Sequence, residues 1–108
     1  MLTLPIKGKY FKMIESGEKP EEYRNITPYY MSRFKNIFEM YPYSHIPSGT
    51  DRHTIRLRNG YAATSPTLEV VCTLDIGTGK EKWGAVPNTE YYILKIHEKR
   101  RIVSVSYT

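Results

Sequence analysis

The second half of the chain alternates apolar and polar residues, and no other feature limits its possible folds as strongly. In "HTIRLRNG" Ile55 and Leu57 are separated by an arginine, and in "LEVVCTLDIG" every second residue is again apolar. A period of two places such residues on one face of an extended strand. "YYILKIHE" and "IVSVSY" repeat the pattern, and "HEKRR" between them is predicted to be a hairpin tip. This half is therefore predicted to form strands with one buried face.

The first half carries the signals of two short helices between extended segments. It predicts a strand over residues 2–6, a helix from Gly8 to Ser16 that ends at Gly17, and a strand over residues 21–25. Glycine favours the left-handed backbone that ends many helices. Thr27-Pro28 is typical of a helix start, because Thr caps the free N–H groups and Pro is tolerated in the first turn. This second helix is predicted to run to about Glu39.

These elements predict one α+β domain over residues 1–108, with both helices in the N-terminal half. A small, closed or half-closed barrel is the expected arrangement, because closure removes exposed strand edges. The apolar faces are expected to meet in a single core. Its predicted members are Phe11, Ile14, Tyr23, Phe34, Ile55, Leu57, Cys72, Leu74, Leu94 and Val103.

Composition favours an anionic partner. The net charge is +5 and the chain has ten tyrosines, whose rings suit both half-buried strands and binding surfaces. His45, His53 and His97 lack the spacing of a zinc site, so no metal is expected. Gly79-Lys80 is not a phosphate loop, because Leu74 stands where the first glycine is required, and no cofactor is expected.

Two absences bear on the compartment. Cys72 is the only cysteine, so no disulfide can form within the chain, and its strand pattern predicts a buried, inert thiol. No apolar run approaches the length of a membrane span, and no signal-peptide pattern opens the chain. We expect a cytoplasmic protein with no membrane partner.

The stretch "GEKPEEYR" concentrates charge directly after the first helix. In an extended segment Glu22 and Arg24 project from one face while Tyr23 points inward, and a bend at Pro20 can return Lys19 to their face. In a cleft such a cluster can bind an anion, polarise a carbonyl or move a proton. On an open surface it is only a weak group of ion pairs. The residues alone leave both interpretations open.

The same stretch resembles a family signature. Gly17-x-Lys19-x-x-Glu22-x-Arg24 after a short amphipathic helix is similar to the G-x-K-x-x-E-x-R motif of the ASCH family, the activating signal cointegrator homology domains. "LPIKGKYFKMIESG", "IRLRNGY" and "YYILKI" agree with that resemblance. It implies a PUA-like β-barrel, in which the Lys, Glu and Arg line a cleft between barrel and helices. It also implies RNA or nucleotide binding.

The resemblance leaves other activities open. A bacterial ASCH-like subgroup hydrolyses the amide of N4-acetylcytidine with a Thr-Lys-Glu trio, and it carries Thr where this chain has Glu22. Lys19 matches that trio, whereas Thr27 lies three residues past the motif. RNA cleavage by Lys19, Glu22 and Arg24 is a further alternative, as is a protein-interaction module with an idle cleft.

Five more residues are candidates for ligand contact. Arg56 and Arg58 share a strand face and are predicted either to contact phosphate or to lie on an exposed sheet surface. Trp83 follows Lys82 in a loop, where its ring either stacks on a base or covers a core edge. Tyr29 and Tyr30 open the second helix, and one is expected to pack while the other reaches the cleft.

Overall fold

Two helices and five strands make up residues 1–102, the part of the chain that the computed structural model describes. In chain order they are β1 (Thr3–Ile6), α1 (Gly8–Ser16), β2 (Glu21–Asn25), α2 (Pro28–Lys35), β3 (His53–Asn59), β4 (Thr67–Thr78) and β5 (Glu90–Ile102), with a 3₁₀ turn at Glu81–Trp83. The predicted α+β class is confirmed. The predictions for Val103 and for most of "IVSVSY" lie outside the described residues. No helix within residues 1–102 is long and apolar enough to cross a membrane.

Helix α1 has the bounds that the sequence predicts. Gly17 follows it with φ at 89°, in the left-handed region, and its N–H donates to the carbonyl oxygen of Ile14 at 3.1 Å. Glycine adopts this conformation without a Cβ penalty. The chain then turns back, and the N–H of Lys19 donates to the carbonyl oxygen of Met13 at 3.0 Å. This turn brings Lys19 alongside the helix that precedes it.

Helix α2 begins as predicted and ends early. The side-chain oxygen of Thr27 accepts a hydrogen bond from a backbone N–H of the first turn at 3.3 Å. The predicted extension to Glu39 is wrong, because α2 ends at Lys35. Beyond that point the N–H groups of Ile37 and Phe38 both donate to the carbonyl oxygen of Phe34, at 3.1 and 2.8 Å. The regular helical ladder therefore ends in a turn that combines three-residue and four-residue hydrogen bonds.

The strands form one sheet in the order β1-β3-β4-β5-β2. β1 runs parallel to β3, and the other neighbours are antiparallel. Within residues 1–102 the sheet is not closed into a barrel, so the prediction of a closed barrel is wrong for this part of the chain. β1 and β2 are the two edges. Pro5 in β1 has no N–H that could pair with a further strand and close the sheet. Its carbonyl oxygen accepts a hydrogen bond from the Arg24 side chain at 2.8 Å.

Strand β5 is continuous, so the predicted hairpin tip at "HEKRR" is wrong. It pairs with β4 along its whole length. The register shifts by one residue between Val71 and Cys72, and His97 is left without a partner residue in β4, which is the pattern of a β-bulge. The charged residues beyond the bulge have long-range partners. Arg100 lies 3.3 Å from Glu69, and Arg101 lies 3.1 Å from Glu15. With these partners, a run of charged residues is compatible with a strand as well as with a turn.

The main core lies on the sheet face that carries both helices. Its buried members are Leu4, Ile6, Phe11, Ile14, Phe34, Phe38, Ile55, Leu57, Leu68, Val70, Cys72, Leu74, Tyr92 and Leu94. The predicted core residues within residues 1–102 are all confirmed as members of this core except Tyr23. Tyr23 belongs to a second cluster with Trp83, Ala85, Tyr91 and Ile93, so the prediction of a single core is wrong. Side chains alternate along β2, so its neighbours Glu22 and Arg24 take the opposite face.

Candidate binding cleft

A cleft of about 690 Å³ opens between the edge strands β1 and β2. The starts of α1 and α2 and the loops after β3 and β4 contribute to its lining. Six aromatic residues line it: Tyr10, Tyr23, Tyr30, Tyr61, Trp83 and Tyr91. The charged lining residues are Lys7, Glu22 and Arg24. The cleft therefore combines flat apolar surfaces with a small polar group, as ligand sites commonly do.

Glu22 is held by a cation on each of its carboxylate oxygens. Oε1 contacts the ammonium group of Lys19, and Oε2 lies 3.2 Å from Nη2 of Arg24. The Glu22 side chain is only 7% exposed, so this contact network lies in a poorly solvated place. Two cations and one carboxylate leave one positive charge in excess. A buried carboxylate needs such partners to remain ionised.

Lys19 supports Glu22 from beneath the cleft. Its side chain has 0% exposure, and it is not among the lining residues. Its ammonium nitrogen lies 5.1 Å from the ring centre of Tyr10 and 5.2 Å from that of Tyr23. Burial lowers the pKa of Lys19, and Glu22 acts in the opposite direction. The predicted pairing is thus present, but the sequence placed all three charges in the cleft, whereas only Glu22 and Arg24 line it.

Arg24 joins three parts of the site. Its Nη2 atom donates a hydrogen bond to the Pro5 carbonyl oxygen and forms an ion pair with Glu22, and its guanidinium carbon lies 5.9 Å from the ring centre of Tyr30. Its Nε atom is buried and has no hydrogen-bond partner among the described residues. The guanidinium is therefore fixed in position while part of its donor capacity remains unused.

Two tyrosine hydroxyls fasten the loop after β4. The Tyr23 hydroxyl donates to Oε1 of Glu21 at 2.7 Å and accepts from the N–H of Lys80 at 3.0 Å. The N–H of Val86 donates to the Tyr91 hydroxyl at 3.0 Å. Burial raises the pKa of Tyr23 well above its ordinary value, so its hydroxyl keeps the proton that it donates.

Trp83 is placed by this loop at the side of the cleft. It is largely buried, and the ammonium groups of Lys80 and Lys82 lie 4.8 and 4.9 Å from its ring. Its indole N–H is buried and has no partner within residues 1–102. Trp83 packs in the second cluster and also lines the cleft, so the predicted role at a core edge is confirmed and stacking on a base stays a prediction.

The remaining predicted residues separate into two groups. Tyr30 lines the cleft, while the Tyr29 ring is exposed and meets the Tyr30 ring edge-on at 5.0 Å. Arg56 and Arg58 lie on the sheet face opposite the main core and do not line the cleft. Arg56 is 3.7 Å from Glu69. A ligand in the cleft would not contact either arginine.

Several lining residues were not predicted from the sequence. Tyr10, Tyr61 and Tyr91 line the cleft but are not among the site residues that the sequence predicts. Their only signal is the high number of tyrosines in the chain. Which of them meet depends on how β1 and β2 face each other, and local patterns do not encode that arrangement.

Comparison of the chain with protein-family models, with curated proteins and with solved structures found no match. Nor does the described part of the chain contain a group of three or more His, Cys, Asp or Glu side chains that could hold a metal ion. The chemistry of the cleft is therefore the basis for any functional interpretation. Glu22 offers a charged acceptor, Arg24 a charged donor, and the tyrosines and Trp83 offer stacking surfaces.

Proposed function

We propose that the chain is an ASCH-type, PUA-like domain that binds RNA or a nucleotide by taking one base into the cleft. The observation that carries the proposal is the fixed Glu22 carboxylate between Lys19 and Arg24, in a cleft that is also lined by six aromatic residues. Recognition of single-stranded RNA commonly combines stacking on aromatic rings with hydrogen bonds to base edges.

The acceptor and donor side by side favour a base edge over a phosphate. A phosphate placed next to Glu22 would be repelled by the carboxylate, and in a poorly solvated site that repulsion is strong. A base edge that has a donor beside an acceptor suits both Glu22 and Arg24. The Lys19–Glu22–Arg24 network has one excess positive charge and Lys7 adds another at the lining, so the cleft is compatible with a neutral or partly negative ligand.

The cleft is large enough to admit a nucleoside unit. Its volume of about 690 Å³ lies within the range of small-molecule sites. The motif resemblance supports the same assignment, since Glu22 and Arg24 occupy its acidic and second basic positions. Under this proposal the gap between β1 and β2 is the open side of a PUA-like barrel.

One observation supports an enzyme on the same site. Lys19, with its pKa lowered by burial, contacts Glu22, and such a pair can exchange a proton. However, a substrate in the cleft would not touch Lys19, which has no exposed surface. We therefore favour binding. Incubation with N4-acetylcytidine and with end-labelled RNA, followed by chromatography, should release neither acetate nor RNA fragments. Turnover that Glu22→Gln abolishes would establish the enzyme instead.

The binding test compares charge changes inside and outside the cleft. Single-stranded RNA and the four nucleosides are titrated against the wild type, Glu22→Gln, Arg24→Gln and Arg58→Gln, after circular dichroism has confirmed that each variant is folded. The first two variants should bind about tenfold or more weakly, because each leaves one ligand group unpaired. Arg58→Gln, which removes the same charge as Arg24→Gln, should bind like the wild type.

Salt dependence distinguishes base recognition from phosphate binding. If the cleft takes a base, nucleoside affinity should hardly change with salt, whereas each phosphate contact to a single strand contributes a slope of about −0.7. Equal weakening by Arg24→Gln and Arg58→Gln would indicate unspecific attraction and would contradict the proposal. So would the absence of any binding to the wild type.

A further inference from the structure

Tyr29 and Arg33 form a stacked pair on the exposed side of α2. The guanidinium carbon of Arg33 lies 3.3 Å from the ring centre of Tyr29, and its Nη1 atom donates to the Tyr29 carbonyl oxygen at 3.3 Å. Tyr29 remains 55% exposed in this arrangement. No carboxylate within residues 1–102 lies at ion-pair distance from Arg33. The pair therefore presents a flat surface with an uncompensated positive charge.

This pair is continuous with the cleft. The Tyr29 ring meets the Tyr30 ring at 5.0 Å, and Tyr30 lines the cleft with Arg24 5.9 Å from its ring. Two adjacent aromatic rings with a cation at each end thus form a line from Arg24 through Tyr30 and Tyr29 to Arg33. Single-stranded nucleic acids bind to such lines, because successive bases stack on aromatic rings or guanidinium planes while cations meet the backbone.

We propose that Tyr29 and Arg33 form a second nucleotide subsite, so that the ligand is a single-stranded polynucleotide rather than a free nucleoside. The inference rests on the proposed function, since the first base occupies the cleft. The neighbouring base stacks on the Tyr29–Arg33 pair. The free edge of the Arg33 guanidinium contacts the phosphate that joins the two nucleosides. Phosphate binding is thereby assigned to Arg33, away from the carboxylate of Glu22.

The test compares ligands that differ by one nucleoside. Calorimetric titration measures the affinity of each nucleoside 3′-methylphosphate, as the mononucleotide, and of the matching dinucleoside monophosphate, ApA, CpC, GpG or UpU. Each ligand has one phosphodiester with one negative charge, so the second nucleoside is the main difference between them. The proteins are the wild type, Tyr29→Ala, Tyr29→Phe and Arg33→Gln. Tyr43→Ala, at a tyrosine that is 99% exposed in the loop after α2 and does not line the cleft, is the matched control.

For the base that the cleft prefers, the wild type should bind the dinucleoside monophosphate about tenfold more tightly than the mononucleotide. Tyr29→Ala should remove that gain and leave the mononucleotide affinity unchanged, whereas Tyr29→Phe should keep it because the ring is retained. Arg33→Gln should reduce the salt slope for the dinucleoside monophosphate by about 0.7. Tyr43→Ala should behave like the wild type.

Two results would overturn the second subsite while leaving the proposed function intact. One is equal affinity of the wild type for the mononucleotide and the dinucleoside monophosphate. The other is a loss in Tyr29→Ala that is the same for both ligands. Failure of the wild type to bind either ligand would overturn the proposed function and this inference with it.

Discussion

Nη2 of Arg24 donates a 2.8 Å hydrogen bond to the carbonyl oxygen of Pro5, and this single side chain joins the two edge strands β2 and β1. The same nitrogen lies 3.2 Å from Oε2 of Glu22. The hydrogen bond between the two edge strands and the ion pair that fixes the Glu22 carboxylate therefore share one atom, Nη2 of Arg24. Any change at Arg24 should affect both the edge and the site.

Loss of the Arg24 side chain should loosen β1. Arg24→Ala removes a hydrogen bond from a charged donor, worth about 1.5–3 kcal/mol, and we expect backbone amides at the β1–β3 pairing to exchange about tenfold faster or more. Amides shared by β4 and β5 should keep their protection. Hydrogen–deuterium exchange measures both. Arg52→Ala, at an exposed loop arginine, is the control and should leave both regions unchanged. Uniform acceleration across the sheet would contradict a local role for Arg24.

The buried pair of Lys19 and Glu22 should show strong energetic coupling. Glu22→Gln leaves the Lys19 charge buried without its counterion, and we expect it to lower the free energy of unfolding by about 3 kcal/mol. Lys19→Met should cost less, because Glu22 keeps Arg24. The double variant should be more stable than the sum of the single effects predicts, with a coupling of at least about 1 kcal/mol. Urea denaturation of the four proteins measures this cycle.

The exposed pair of Lys95 and Asp75 provides the control cycle. Their charged atoms are 3.2 Å apart, but the side chains are 49% and 38% exposed. Water screens such a pair, so the coupling between Lys95→Met and Asp75→Asn should be below about 1 kcal/mol. If the two cycles gave similar couplings, the burial of Lys19 would have no energetic consequence.

Gly79 should tolerate no side chain, whereas Gly77 should tolerate a small one. A Cβ at Gly79 would lie 2.6 Å from Cζ of Tyr23 and 2.8 Å from Cβ of Ala85, and neither neighbour can move freely within the second cluster. A Cβ at Gly77 would lie 3.3 Å from the terminal methyl of Ile93.

Gly79→Ala should therefore lower the free energy of unfolding by about 2 kcal/mol, as overpacking does. Gly77→Ala should cost clearly less, and thermal denaturation of both variants makes the comparison. Equal costs would mean that the contact between Gly79 and the Tyr23 ring is not tight.

Cys72 should make the protein less stable in alkali. Burial raises the pKa of its thiol to about 12 from an ordinary value of 9.0. Between these values the unfolded chain releases a proton that the folded chain retains, so rising pH favours unfolding. A single group can contribute up to about 1.4 kcal/mol per pH unit. The free energy of unfolding should fall less steeply above pH 9 in Cys72→Ala than in the wild type. Parallel curves for the two proteins would contradict the prediction.

Local signals predicted local structure well. The bounds of α1, the cap at Thr27 and the inward positions of Ile55 and Leu57 follow from capping and alternation, which act over a few residues. The end of α2 was less predictable, because its last turn only tightens and carries no breaking residue.

Features that depend on distant partners could not be predicted. Arg100 and Arg101 suggested a turn, since their partners, Glu69 and Glu15, lie far away in the chain. The position of Tyr23 in a second cluster depends on the loop that carries Trp83. Proximity of Lys19 and Glu22 was predictable from spacing and from the resemblance, but the complete burial of Lys19 was not.

That burial has a consequence for how this motif should vary among related chains. Lys19 contacts Glu22 and does not line the cleft. A change of ligand should therefore affect which residue is favoured at position 19 only through its effect on Glu22. Chains that exchange Glu22 for a neutral residue are expected either to lose the lysine or to give its ammonium group another acceptor, whereas chains that keep both can still diverge at Tyr30 or Trp83. The lysine would then follow the acceptor that it contacts, and the aromatic positions would change with specificity.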